Sequence, residues 1–226
     1  FLKYAKKHEI FRCEKIFDYV PTHLGQKIKY TEIDSNEKAR DLKKAIETLR
    51  YARVLYSVSH TNATAVPLQA FMDDTVFKLF FLDIGLSLTH AEEEFKNILH
   101  GESVLSGPMA EQYVAQHLAH LDPERESILF YWLRDKSSAK AEVDFVFSQG
   151  QKILPIEVKS NQNIQLKSLH VFMAEHKKLG QAITVSGNPY EKKRITVKVK
   201  FENEIRQIKY ELINIPLWAV EKLTEY

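Results

Sequence analysis

The stretch AEVDFVFSQGQKILPIEVKS, residues 141–160, decides the fold. Two runs rich in β-forming residues flank Gly150-Gln151, and a glycine at the first central position suits a two-residue type II′ turn. The turn sets the register. Gln149 faces Lys152, and counting outward pairs Phe147 with Leu154, Phe145 with Ile156, Val143 with Val158 and Asp144 with Glu157. Side chains alternate across a strand, so the apolar pairs are expected on one face and Asp144, Glu157 and Lys159 on the other. Two carboxylates directly cross-strand, with Cβ atoms roughly 4.5 to 5.5 Å apart, repel each other and call for a cation between them.

A hard divalent ion, Mg²⁺ or Mn²⁺, suits carboxylate oxygens, and the Val158 carbonyl and water can complete its shell. Lys159 can orient or deprotonate an attacking water, or neutralise charge on a phosphorane-like transition state. The chemistry expected of Asp144, Glu157 and Lys159 is metal-assisted phosphodiester hydrolysis. A hydrogen-bonded structural cluster of the two acids with Lys159 is the alternative left open at this point.

Pro108 suits a first helical turn, and Ala110, Val114, Leu118 and Leu121 mark a buried stripe with Glu111 at its edge. Residues 128–134 read as a strand. Beyond the hairpin, Leu166, Leu169, Phe172, Met173 and Leu179 predict an amphipathic helix leading into the strand 182–185, a crossover to a parallel neighbour. The order helix, strand, strand, strand, helix, strand implies an α/β layer arrangement. Residues 194–201 and 205–210 flank Glu202-Asn203 as an exposed hairpin, and Trp218 is expected to pack a closing helix on the core. His117 and His120, three apart on one helix, read as surface or boundary residues.

The N-terminal part has a different period. Phe17, Val20 and Leu24 follow one helical stripe, and Pro21 marks a bend or new start. Ser35 or Asn36 can cap a helix on which Ala39, Leu42, Ile46 and Leu49 recur at amphipathic spacing. Val54, Tyr56 and Val58 then alternate as a half-buried strand does. Helices followed by a hairpin resemble a winged helix-turn-helix domain, whose third helix often enters a DNA groove. Lys38, Arg40, Lys43 and Lys44 lie largely off the apolar stripe and offer phosphate contacts, although a solvated helix face is the commoner reason for such residues. Polar residues 91–107 read as the connection, dividing the chain into a winged-helix-like domain, 1–100, and an α/β domain, 101–226.

The 226 residues carry 32 Lys and Arg against 30 Asp and Glu, so net charge is no signature of nucleic-acid binding and any basic surface must be local. A single cysteine, Cys13, excludes an internal disulfide and paired-cysteine zinc clusters, and a reducing cytoplasmic setting is expected. No stretch approaches the run of about 20 apolar residues that a membrane-spanning helix needs. The opening at Phe1, without methionine or signal-peptide pattern, leads us to expect a segment of a longer protein.

Ala141-Glu142-Val143-Asp144-Phe145, followed by Pro155-Ile156-Glu157-Val158-Lys159-Ser160, resembles the PD-(D/E)xK nuclease signature. Glu111 in Gly107-Pro108-Met109-Ala110-Glu111 resembles the extra helix acid that many members add to the metal site. That likeness implies a restriction-endonuclease-like mixed sheet flanked by helices, with Glu111, Asp144, Glu157 and Val158 as metal ligands and Lys159 as catalytic lysine. Simple support of the helix N-terminus accounts for Glu111 as well. Val20-Pro21, Phe77-Lys78-Leu79, Leu82-Asp83-Ile84-Gly85-Leu86, Tyr131-Trp132 and Pro216-Leu217 resemble the C-terminal half of prokaryotic AAA+ ATP-binding proteins. There, an N-terminal ATPase precedes a winged-helix region and a domain of unknown function. The chain has no G-x-x-x-x-G-K-[ST] phosphate loop, so ATP is not expected to bind here, and an ATPase portion of the same polypeptide is the implied partner. DNA is the implied substrate, and an oligomer is compatible with these features. A noncatalytic DNA- or protein-binding module that passes on the state of the ATPase is the alternative function.

Overall fold

A computed structural model describes residues 7–90, 96, 100, 105–121, 129–136, 139–160 and 165–225. It is a mixed α/β structure in which an N-terminal helical region precedes an eight-stranded sheet flanked by helices. Helices α1 (Lys7–Tyr19), α2 (Tyr30–Ile33) and α3 (Ala39–Tyr51) come first, with a 3₁₀ turn at Val20–His23 started by Pro21. The α3 stripe is buried through Leu42, Ala45, Ile46 and Leu49. Neither Ser35 nor Asn36 caps that helix. Asp34 accepts the Asn36 N–H at 2.9 Å in a local turn, and the helix starts three residues later with Lys38 at the N-cap.

Strands β1 (Leu55–Thr61) and β2 (Met72–Phe81) form an antiparallel pair, and α4 (Ile84–Leu88) follows. The pair is not a free-standing wing: β1 runs parallel to β3 (Leu129–Lys136) and extends the same sheet. Helix α5 (Gly107–His120) grips the exit of β2, because the buried Gln112 carboxamide accepts the Phe81 N–H and donates to the Phe81 carbonyl, both at 2.8 Å. Strands β4 (Ala139–Gln149), β5 (Lys152–Lys159), β6 (Gln181–Ser186), β7 (Glu191–Phe201) and β8 (Glu204–Pro216) complete the order β2-β1-β3-β4-β5-β6-β8-β7. Helix α6 (Lys167–Glu175) links β5 to its parallel neighbour β6, as its spacing predicted. The proposed boundary near residue 100 lies largely outside the described residues.

Each face of the sheet has its own apolar layer. Phe145, Leu154, Ile156, Val158, Ile183 and Ile213 pack with α1, α3 and α5. Val143, Val146, Ile153, Leu212 and Phe201 pack on the other face with Leu169, Phe172 and Met173 of α6. A closing 3₁₀ segment, Leu217–Glu225, buries Ala219, Val220 and Leu223. Trp218 does not pack inward. It is 77% exposed, because the 3₁₀ period turns its neighbours to the core instead. Cys13 is free and buried, as a small hydrophobe would be.

Candidate active site

From the Gly150 turn to Phe145–Ile156, the β4–β5 hairpin has the register that its sequence predicts. Gly150 has φ +59°, Gln151 is not in the left-handed region, and pairs run from Gln149–Lys152 through Phe147–Leu154 to Phe145–Ile156. The ladder stops there, so Asp144 and Glu157 are not a simple cross-strand pair. A bulge explains the difference: Phe130 pairs with Val146 and Trp132 with Val143, leaving Tyr131 opposite both Asp144 and Phe145. Val143 therefore packs in the opposite layer from Phe145 and Val158, and the expectation that all three share a face is corrected. Asp144 is freed from the ladder. Its Oδ2 accepts the Val158 N–H at 2.8 Å, which holds the carboxylate against β5.

Glu157 is 5% exposed, and its Oε1 accepts a hydrogen bond from Lys159 Nζ at 2.7 Å. Its Oε2 is buried with no donor. Burial, together with the Asp144 charge, pushes the Glu157 carboxyl up to about 8 despite Lys159. Burial also raises Asp144, against the opposing effect of Lys78, the Val158 N–H and Lys159. Burial disfavours the Lys159 ammonium, but Glu157, Asp144 and Glu111 together outweigh it and raise its pKa.

A second wall comes from the N-terminal part, and sequence reasoning missed it. Lys78 of β2 has a side chain only 1% exposed, and its Nζ lies 3.2 Å from Glu111 Oε2 and 2.7 Å from Glu142 Oε1. Burial works against this ammonium, but the charges of Glu111, Asp144 and Glu142 outweigh it and raise its pKa. Lys27 donates to the other Glu142 oxygen. Burial favours neutral Glu142, yet Lys78 and Lys27 together hold its carboxyl below the usual range. Burial pushes Glu111 up to about 7 even beside Lys78. Gly25, at φ +70°, lies against the Glu111 carboxylate; a Cβ there would stand 3.1 Å from Oε2. One signal for Lys78 was in the sequence: a lysine in the apolar run Val76–Phe81, which only a buried acid partner makes tolerable.

The cation that the acids call for is thus supplied in part by Lys78. Glu111 is tied to that lysine, and no three described His, Cys, Asp or Glu side chains gather as a metal-holding group. Asp144 and Glu157 remain as the pair with free acceptor capacity, and the unpartnered Glu157 Oε2 fits a hard cation that keeps part of its water shell. The four basic residues considered for nucleic acid are all exposed. Lys43 Nζ lies 2.5 Å from Asp74 Oδ2 and Arg40 Nε 3.5 Å from Asp41 Oδ1.

Residues 106–218 match the model of a domain of unknown function, DUF4143, and residues 1–96 match that of a second, DUF8612. No curated protein matches. Among solved structures, that of protein VC1899 from Vibrio cholerae aligns with 96% of this chain at 11% identity and a TM-score of 0.31. The chain spans about half of that protein, 51% of its length.

Proposed function

The chain belongs to the DUF4143 family, and we propose that its acid cluster is a divalent-metal-dependent phosphodiesterase site acting on DNA. Glu157 supports this reading most: a buried carboxylate with one oxygen on a lysine and the other without a donor, within the field of a second carboxylate. Asp144 and Glu157 would hold Mg²⁺ or Mn²⁺, which supplies Lewis acidity toward the phosphodiester. The Val158 N–H keeps Asp144 oriented. Lys159, half-buried beside Glu157, neutralises charge growing on the phosphoryl oxygens or positions the attacking water. Lys78 holds Glu111 and Glu142 in place behind them and keeps Glu142 charged. The wider reading sets this domain after an ATPase portion of the same polypeptide, with ATP bound there, and it rests on the residue likeness alone. The restriction-endonuclease-like and winged-helix-like names rest on the motifs and on the order of elements, three helices and then a strand pair.

The test is metal-dependent cleavage of several DNA forms by wild type and by Asp144→Ala, with Asp144→Asn as the shape-conserving control. Cleavage that requires metal and falls at least about 10²-fold in both variants is expected. Identical activity in wild type and variants would remove the assignment.

A noncatalytic module is favoured by one observation, the placing of Lys78 between Glu111 and Glu142, where it already balances much of the acid charge. On that reading the cluster is a structural joint between the two parts of the chain.

A further inference from the structure

The two faces of the β7–β8 ribbon are charged in different ways. On the face packed against α6, Val199, Phe201, Ile208, Tyr210 and Leu212 are buried and the cations have acids beside them. Lys193 lies 3.1 Å from Glu191, Arg206 is paired with Glu204, and Arg134 reaches Glu202 at 2.8 Å. The opposite face carries Lys192, Arg194, Lys198 and Lys200 from β7 and Lys209 from β8. All five are exposed, and none has an acid partner among the described residues. The acid on this face, Glu211 opposite Arg194, accepts from Gln181 Nε2 at 3.0 Å. Alternate residues on one strand face lie about 6.8 Å apart, so like charges segregated in this way repel. The fold gains nothing from collecting them on one side.

We propose that this open face binds duplex DNA along its phosphate backbone, without reading sequence. From Lys192 to Lys200 the cations extend over about 27 Å at strand rise, against a duplex that presents one phosphate per about 1.7 Å of axis. Between Lys192 and Glu211 the face carries no aromatic side chain, so it lacks the stacking platform that single strands use. Thr196 and Gln207 add neutral donors for phosphate oxygens. Strand β7 is the edge of the sheet, and a partner reaches it without rearrangement. Binding does not depend on catalysis at the acid cluster.

Fluorescence anisotropy with a short blunt DNA duplex in EDTA tests this separately from any metal chemistry. The triple variant Lys198→Gln, Lys200→Gln, Lys209→Gln is expected to bind about tenfold or more weakly at low salt, with the slope of log affinity against log salt shallower by about 2 to 3. Lys193→Gln, on the packed face, is expected to bind like wild type. All these side chains are exposed, so melting curves should match; if the triple variant does not fold, Lys198→Gln alone should lower the slope by about 1. Unchanged affinity and slope in the neutralised variants would overturn the proposal. So would tighter wild-type binding, at the same salt, to duplex RNA, to an acidic polypeptide or to anionic phospholipid vesicles.

Discussion

The acid cluster has two walls built by different physics. The β4–β5 hairpin is local: a glycine turn fixes the register, and Asp144, Glu157 and Lys159 follow from a short count along the chain. The other wall is distant in sequence. Lys78 reaches Glu111 and Glu142 from β2, Lys27 reaches Glu142 from the loop before α2, and Gly25 lies against Glu111. The difference shows that a local motif can announce a site while the charges that make it tolerable arrive from elsewhere. It also gives the N-terminal part a role in the site independent of any DNA contact.

Removing the distant wall has the largest expected effect. Lys78→Met leaves Glu111 and Glu142 buried without their shared cation, and a stability loss of about 3 to 5 kcal/mol is expected by denaturant unfolding. Adding Glu111→Gln should recover part of it; additive losses would show that Lys78 and Glu111 are not coupled. One carboxyl from each wall is read through pH. Burial raises the carboxyls of Glu111 and Glu157 to about 7 and about 8, against an ordinary 4.5. Their contribution to stability is therefore fully present below about 4.5 and is lost as pH rises through 7 to 8. Glu157→Gln should shrink that loss, and denaturant midpoints across the range that keep the wild-type fall would contradict it. A smaller effect is expected at the contact with Glu111. Gly25→Ala, with its left-handed φ and a Cβ 3.1 Å from the carboxylate, should cost about 1 to 2 kcal/mol in thermal or chemical melts.

Much of the C-terminal architecture was legible because its elements are periodic and locally closed. The Gly150 turn, the α5 stripe through Ala110, Val114 and Leu118, and the α6 crossover to a parallel strand all appear where their patterns place them. The bulge opposite Tyr131 was not legible, since it depends on pairing with β3 and leaves no mark on the alternation of β4 itself. For that reason the expected face of Val143 failed, while the gathering of Asp144, Glu157 and Lys159 did not depend on it. The start of α3 was misplaced because Asp34 holds Ser35 and Asn36 in a local turn ahead of the helix. Lys78 was not legible as a buried ion, because its partners are 33 and 64 residues away. The strand pair β1–β2 looked like a wing in sequence; parallel pairing to β3, a tertiary event, makes it part of the sheet.

The most direct measurement is calorimetric titration of the chain with Mn²⁺, beside Glu157→Gln and Asp144→Asn. Saturable binding at millimolar metal or below, lost in both variants while their folds melt as cooperatively as wild type, is the predicted result. No binding by wild type, or binding that neither substitution weakens, would contradict the account.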